Sequence, residues 1–113
     1  MYADAMKMVI QLDNHDMDRY LSVIDSDIKK YKMGLTLLMT LRGIPSMYYG
    51  TEILMKNTKN PSDAEVRRNF PGGCPGDKEN KFASEGRNSE EEDAFNFVKS
   101  LTNYRKNSPT LTT

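Results

Sequence analysis

Tryptophan is absent from the 113 residues, and cysteine and histidine occur once each, as Cys74 and His15. A single cysteine excludes an internal disulfide framework and any cage built from several thiolates. One histidine among scattered carboxylates has no recognised ligand spacing, so no metal and no other cofactor is expected. Charge of one sign is also missing, because 16 basic residues balance 16 acidic ones. That balance argues against a nucleic-acid binder, which gathers a basic excess on one face. Apolar runs fall far short of the roughly 20 residues a membrane span needs. Asp4 and Lys7 interrupt any apolar stretch at the start, unlike a secretion signal. Hydrophobic residues make up only 37%, and the mean hydropathy is -0.70. Both are low for a self-contained core in a chain the size of one domain. Composition alone specifies neither a function nor a compartment.

What is present falls into three blocks without repeats or low-complexity tracts. Residues 1–50 hold most of the aliphatic side chains. Met8-Val9-Ile10-Gln11-Leu12, ended by Asp13 and Asn14, suits a strand buried on most of its surface. Asp25 or Ser26 is placed to cap a helix with Asp27 in its first turn. Ile28, Tyr31, Leu35, Leu38, Met39 and Arg42 follow at helical spacing, and Gly43 stands where a terminating glycine is expected. Pro45 then opens a second strand, Ser46-Met47-Tyr48-Tyr49, closed by Gly50. Strand, helix, strand in one sheet means a parallel pair joined by a crossover.

Residues 51–88 form the second block, a long irregular loop rich in proline, glycine and charge. Loops of that length are uncommon inside a compact domain and are functional or disordered. Residues 89–107 form a closing helix. Ser89 and Glu92 make a capping box, Glu90, Glu91 and Asp93 suit the positive end of the helix dipole, and Phe95, Val98, Leu101 and Tyr104 make an apolar stripe. Asn107, Ser108 and Pro109 stop it. The order belongs to an alternating α/β architecture that supplies few neighbours for its two strands.

The densest polar cluster is Asp13-Asn14-His15-Asp16, with Asp18 and Arg19 beyond it, at the C-terminal end of the first strand. Ligands bind at that edge of β/α proteins because the loops converge there. Asp and Asn are also ordinary turn and capping residues, and from spacing alone a solvated turn is the favoured reading. Tyr48 and Tyr49 offer aromatic faces, although aromatics in strands usually pack. Cys74 has no adjacent histidine or helix start to activate it.

Longer stretches alter that weighting. Gln11 to Asp16 resembles the strand-seven motif of the alpha-amylase family of glycoside hydrolases, family 13, a hydrophobic residue and two variable positions before Asn-His-Asp. Gly43-Ile44-Pro45-Ser46-Met47-Tyr48-Tyr49-Gly50-Thr51-Glu52 resembles the strand-eight signature. Arg68 to Gly73, Gly76-Asp77, Phe95 to Val98 and Tyr104 to Pro109 are similar to the neopullulanase and cyclomaltodextrinase branch. Three ordered matches span nearly the whole chain. Within them Gln11 replaces an aromatic or aliphatic residue, Asn69 an Asp and Cys74 a Trp, which implies relaxed constraint on the sugar-facing loop.

This resemblance implies part of a (β/α)8 TIM barrel: strand seven, helix seven, strand eight, a long loop and helix eight. It implies retaining cleavage or transfer of alpha-linked glucans. Asp16 would stabilise the transition state, and His15 would donate a hydrogen bond to the sugar. Asn14, Arg68 and Phe70 would contact the glucan. The family's nucleophile and general acid/base stand on strands four and five, whose motifs do not occur in these residues. Retaining chemistry needs two carboxyl groups about 5 Å apart, so the chain is expected to be inactive alone. Its expected partners are the missing barrel segments or further copies of itself, because uncovered strand edges pair readily. The alternative is a non-catalytic module that self-associates or binds glucan weakly. A general α/β interaction domain with coincidental motifs is the third reading.

Overall fold

A short parallel ladder is the only sheet the described residues form. Val9–Ile10 (β1) pairs with Ile44–Pro45 (β2), Val9 beside Ile44 and Ile10 beside Pro45. The computed structural model describes residues 4–112; residues 1–3 and 113, at the outer ends of the first and third blocks, lie outside it. The Ile44 amide donates to the Met8 carbonyl and the Ser46 amide to the Ile10 carbonyl, each at 2.8 Å. Alternate amides of β2 face β1, so the nitrogen of Pro45, which has no proton to donate, faces the open edge. The first strand is shorter than the expected 8–12, and the second lies at Ile44–Pro45, ahead of the expected 46–49, none of which is strand, since each has one neighbour to bond. Beyond Ser46 the second expected strand ends in a turn, with the Thr51 amide donating to the Tyr48 carbonyl at 3.2 Å.

Two helices occupy the connection between the strands. The first, Tyr20–Val23 (α1), follows the polar cluster and has no counterpart in the sequence pattern. The second, Ile28–Thr40 (α2), is capped two residues later than the first capping candidate. Asp27 is the cap, its carboxylate accepting from the Lys30 amide at 3.1 Å, whereas Asp25 and Ser26 lie in left-handed backbone with φ of 54° and 59°. At the other end α2 stops at Thr40, and Gly43 stands just before β2, against β1, rather than as the helix terminator. Its φ is +113°, and a Cβ there would meet the Met8 carbonyl at 2.7 Å. Gly34 in mid-helix answers to packing, because a Cβ would collide with the Tyr20 ring.

The long helix Ser89–Lys106 (α3) packs across α2. Its capping box lies one residue earlier than the sequence suggests: Asn88 accepts from the Glu91 amide at 2.9 Å, and Glu91 accepts from the Asn88 amide at 3.1 Å. Glu92 is thereby released to Arg87, at 2.6 Å. That hydrogen bond holds the Glu92 carboxyl below its usual range, helped by the guanidinium charge and by hydrogen bonds from Ser84 and Asn96, against desolvation. The buried face of α3 runs through Ala94, Val98 and Arg105, with Phe97 and Leu101 partly covered, so the stripe turns away from Tyr104, which is 60% exposed. Pro109 ends α3 but opens a further helical turn, Pro109–Thr112 (α4), as its fixed φ permits.

Leu21, Tyr31, Leu35 and Val98 are the centre of the core, with Leu12, Ile28, Met47 and Leu54 against them. Burying such side chains is worth roughly 1.5–3 kcal/mol each. The radius of gyration is 15.2 Å, against about 13 Å for a closed domain of this length. Val9 and Ile44 on the sheet, and Met33, Leu37 and Leu41 at four-residue spacing along α2 and its C-terminal cap, stay exposed. No helix among the described residues is long and apolar enough to cross a membrane.

One cation joins the three main elements. Arg105, 8% exposed, donates from Nη1 to the carbonyls of Met39 (2.8 Å) and Leu41 (3.0 Å). From Nη2 it donates to Gly43 (2.6 Å) and Leu111 (3.1 Å). Replacing Arg105 by Met leaves these buried acceptors unpaired and is expected to cost about 3 kcal/mol of stability. Tyr104→Ala, on the exposed side of the same turn, should change stability by less than about 0.5 kcal/mol. Denaturant unfolding of the two variants checks the contrast, which equal midpoints would refute.

Candidate active site at the strand ends

Directly beyond β1, the chain turns outward through Asp13, Asn14, His15 and Asp16. Each member of this turn is held by a different local bond. Asp13 is 7% exposed and accepts from the Tyr20 amide at 2.8 Å, which fixes the start of α1. Asn14 Oδ1 accepts from the Asp16 amide at 2.8 Å, folding the turn on itself. His15 Nε2 stands 3.3 Å from Asp16 Oδ2. The Asp16 side chain is 61% exposed and presents its carboxylate at the rim.

A buried guanidinium ties this rim to the one after β2. Arg19 is 1% exposed, and its Nη1 donates to the Tyr49 carbonyl at 2.6 Å while its Nε donates to the Val66 carbonyl at 3.2 Å. Its plane lies 3.9 Å from the Tyr48 ring centre and 4.8 Å from that of Tyr49, a geometry worth ~2 kcal/mol where water is excluded. Tyr48 and Tyr49 therefore pack on a cation. The Tyr48 hydroxyl is pushed above its ordinary range, first by desolvation and then by its neighbour Tyr49. The Tyr49 hydroxyl donates to the Arg68 carbonyl at 2.6 Å.

The long loop returns to the rim through a tight turn, Asp63–Arg67. Arg67 donates from Nη2 to Asp16 Oδ1 (2.8 Å) and to Asp63 Oδ2 (3.1 Å), and from Nε to the His15 carbonyl (2.8 Å). The sequence pattern pointed one residue further on, to Arg68. That side chain turns instead to Glu65. The Phe70 ring packs on Phe82, with centres 4.3 Å apart. The structure thus brings Asn14, His15 and Asp16 together, adds Arg67, and gives Arg68 and Phe70 other partners. The signal for Arg67 was present: Asp63 and Arg67 stand four apart, the spacing of an ion pair on one turn.

Glu52, behind β2, borders a cavity of about 290 Å³ with Met47, Phe95, Val98, Lys99 and Thr102. Cys74 is exposed and unbonded through sulfur to another cysteine. Among the described residues no three His, Cys, Asp or Glu side chains converge as a metal site requires.

Burial raises the Asp13 carboxyl above its ordinary value, while the Tyr20 amide and the charge of Arg19 pull it back in part. A raised carboxyl means that the folded chain binds this proton more tightly than the unfolded one. This group's contribution to stability therefore declines as pH rises from the unfolded value of 3.8 through the folded one. Compared with Asp13→Asn, which does not titrate, the native chain should lose unfolding free energy across that interval and hold a constant difference above it. Urea titrations of both proteins at a series of pH values test this, and a difference independent of pH would refute it.

Residues 1–83 match the family model described as the alpha amylase catalytic domain. A cyclomaltodextrin glucanotransferase of Geobacillus stearothermophilus is 31% identical over 110 residues, which cover 97% of this chain and 13% of that relative. An alpha-amylase of Niallia circulans is 30% identical over 110 residues, covering 97% of this chain and 17% of its own length. The solved structure of an Anoxybacillus alpha-amylase is similar with a TM-score of 0.66 at 26% identity, covering 94% of this chain and 20% of that one. The chain spans one fifth or less of these relatives.

Proposed function

Because the chain belongs to the catalytic-domain family of the alpha-amylases, we propose that it supplies one sector of a site that cleaves or transfers alpha-linked glucans. In this reading β1 and β2 are strands seven and eight of an eight-stranded barrel. The helix α2 is then the seventh, α3 the eighth, and residues 51–88 are the loop overhanging the rim. The observation that carries it is the placement of His15 and Asp16 just past the C-terminal end of a parallel strand, joined by Arg19 to the turn after its neighbour. That is the rim at which barrel enzymes assemble their sites. The loop motifs from Arg68 to Gly73 and the end of α3 support the neopullulanase and cyclomaltodextrinase branch.

Glycosidic cleavage with retention builds positive charge on the sugar ring, and hydrogen bonds to the 2-hydroxyl strengthen as it develops. Asp16 is the acceptor for such a hydroxyl, and His15 Nε2 a donor to the same sugar. Asn14 fixes their turn through the Asp16 amide. Phe70 and Arg68, further along the loop, are the glucan contacts this reading adds. One carboxylate cannot both attack the anomeric carbon and protonate the leaving oxygen, so the 113 residues alone do not complete the reaction. Their partners are the remaining barrel segments, which would cover the open edges of β1 and β2 and the apolar line Met33, Leu37, Leu41. A non-catalytic, self-associating module is the second reading, and the same exposed residues favour it.

Fragment complementation separates the two. The chain alone should turn over neither starch, pullulan nor cyclodextrins. Mixed with the portion of the Niallia circulans alpha-amylase that precedes its matched segment, it should restore starch cleavage. Asp16→Asn should lower the restored turnover about 10²–10³-fold. Turnover by the isolated chain that vanishes in Asp16→Ala would overturn the proposed inactivity, and restored turnover insensitive to Asp16 would overturn the role given to this residue.

A further inference from the structure

We propose that Arg67 is the positioning residue for Asp16, setting the orientation of its carboxylate without touching the sugar; this rests on the glucan-active reading of the same rim. Three contacts converge on one guanidinium. Asp63, four residues earlier on the same turn, accepts from the same Nη2 that engages Asp16 and restrains the side chain. Lys59 in turn stands 3.3 Å from Asp63 Oδ1, and its amide donates to Asp18 Oδ1 at 2.6 Å, which anchors the loop to the segment just after Asp16. The His15 carbonyl accepts from Nε and Asp16 Oδ1 from Nη2, both at 2.8 Å.

The division of Asp16 between its neighbours is what makes this a positioning contact. Arg67 takes Oδ1, while Oδ2 faces His15 Nε2 at 3.3 Å, a longer and weaker approach. The carboxylate is thus held at one oxygen, and the other is the one free to exchange its partner for a hydroxyl. Gripping both the carbonyl of residue 15 and the side chain of residue 16 fixes the backbone and the carboxylate plane together. An isolated exposed ion pair contributes little. Here Asp63 already restrains the guanidinium, so less freedom is lost when it meets Asp16. Lysine at this position would keep the charge but lose the planar fork that makes the two grips simultaneous.

The test has two arms. In the 113-residue chain, Arg67→Gln should shift the ¹³C resonance of the Asp16 carboxyl and the amides of His15 and Asp16, while Arg68→Gln leaves them in place. In the complemented enzyme, Arg67→Gln and Arg67→Lys should both lower kcat about 10–100-fold, the loss expected of a misplacement near 1 Å, with KM changed less than about threefold. An unshifted Asp16 carboxyl in Arg67→Gln overturns the proposal. A raised KM at constant kcat also overturns it, by making Arg67 a sugar contact, and full rescue by Arg67→Lys does so by reducing the contact to charge alone. If the complemented native enzyme shows no turnover, the glucan-active reading fails, and the carboxyl resonance still decides whether Arg67 orients Asp16.

Discussion

Backbone carbonyls that a wider sheet or a tidy helix end would satisfy are instead met by buried guanidinium groups, and the junctions of α2, α3, α4 and β2, and of the turn after β2, follow from where those two cations reach. The last four carbonyls of a helix have no partner within it. At the end of α2 those of Met39 and Leu41 come with the carbonyl of Gly43, which feeds β2, and all three point at Arg105 from α3. A positive group at this end also suits the helix dipole. One side chain therefore sets the angle at which α3 crosses α2 and the height at which β2 begins.

Arg19 does the corresponding work at the opposite end of the strands. It pins the turn after β2 and the loop near Val66 to the segment after β1. Among the described residues its Nη2 is a buried nitrogen with no hydrogen-bond partner. Two aromatic faces and the nearby Asp13 charge offset that omission. Asp13 in turn endures burial because its carboxylate holds the first amide of α1. Each of these groups is costly to bury unless the others are present, so the members of the rim stabilise one another.

Element types were legible in the sequence wherever the pattern was local. The spacing from Ile28 to Met39 and the acidic start before Phe95 give α2 and α3 their places within a residue or two. The errors cluster at the ends. Asp25, Ser26, Asp27 and Asn88 are all capable caps, and which one serves is decided by tertiary packing that places Asp25 and Ser26 in left-handed backbone. Tyr104 continues the apolar spacing of α3, yet Arg105 is the residue that turns inward, because four carbonyls outweigh one ring. The cluster from Asn14 to Asp16 was legible as a polar turn because its members are adjacent in the chain, and the family motif, not the spacing, made it a candidate site. For Arg67 only the local pairing with Asp63, four residues away, was readable; its link to Asp16 crosses 51 positions and no periodicity reports it. Of the two neighbouring arginines in the loop, Arg67 is bonded to Asp16 and Arg68 to Glu65, a division that adjacent positions in a sequence do not reveal.

The strands themselves are the weakest part of this arrangement, and that weakness separates order at the rim from completeness of the fold. Two residues of ladder contribute little alone, and isolated pairs of strands are marginal in water. The described residues keep their parallel register because the cations grip on either side of it, Arg105 at Gly43 and Arg19 at Tyr49, one residue before β2 and four after it. The rim is thereby shaped within the chain, although Val9 and Ile44 remain open on the sheet face. Covering those side chains would add apolar burial without having to reorganise His15 and Asp16. The order of the rim is therefore set by bonds within the described residues and does not depend on closing the sheet.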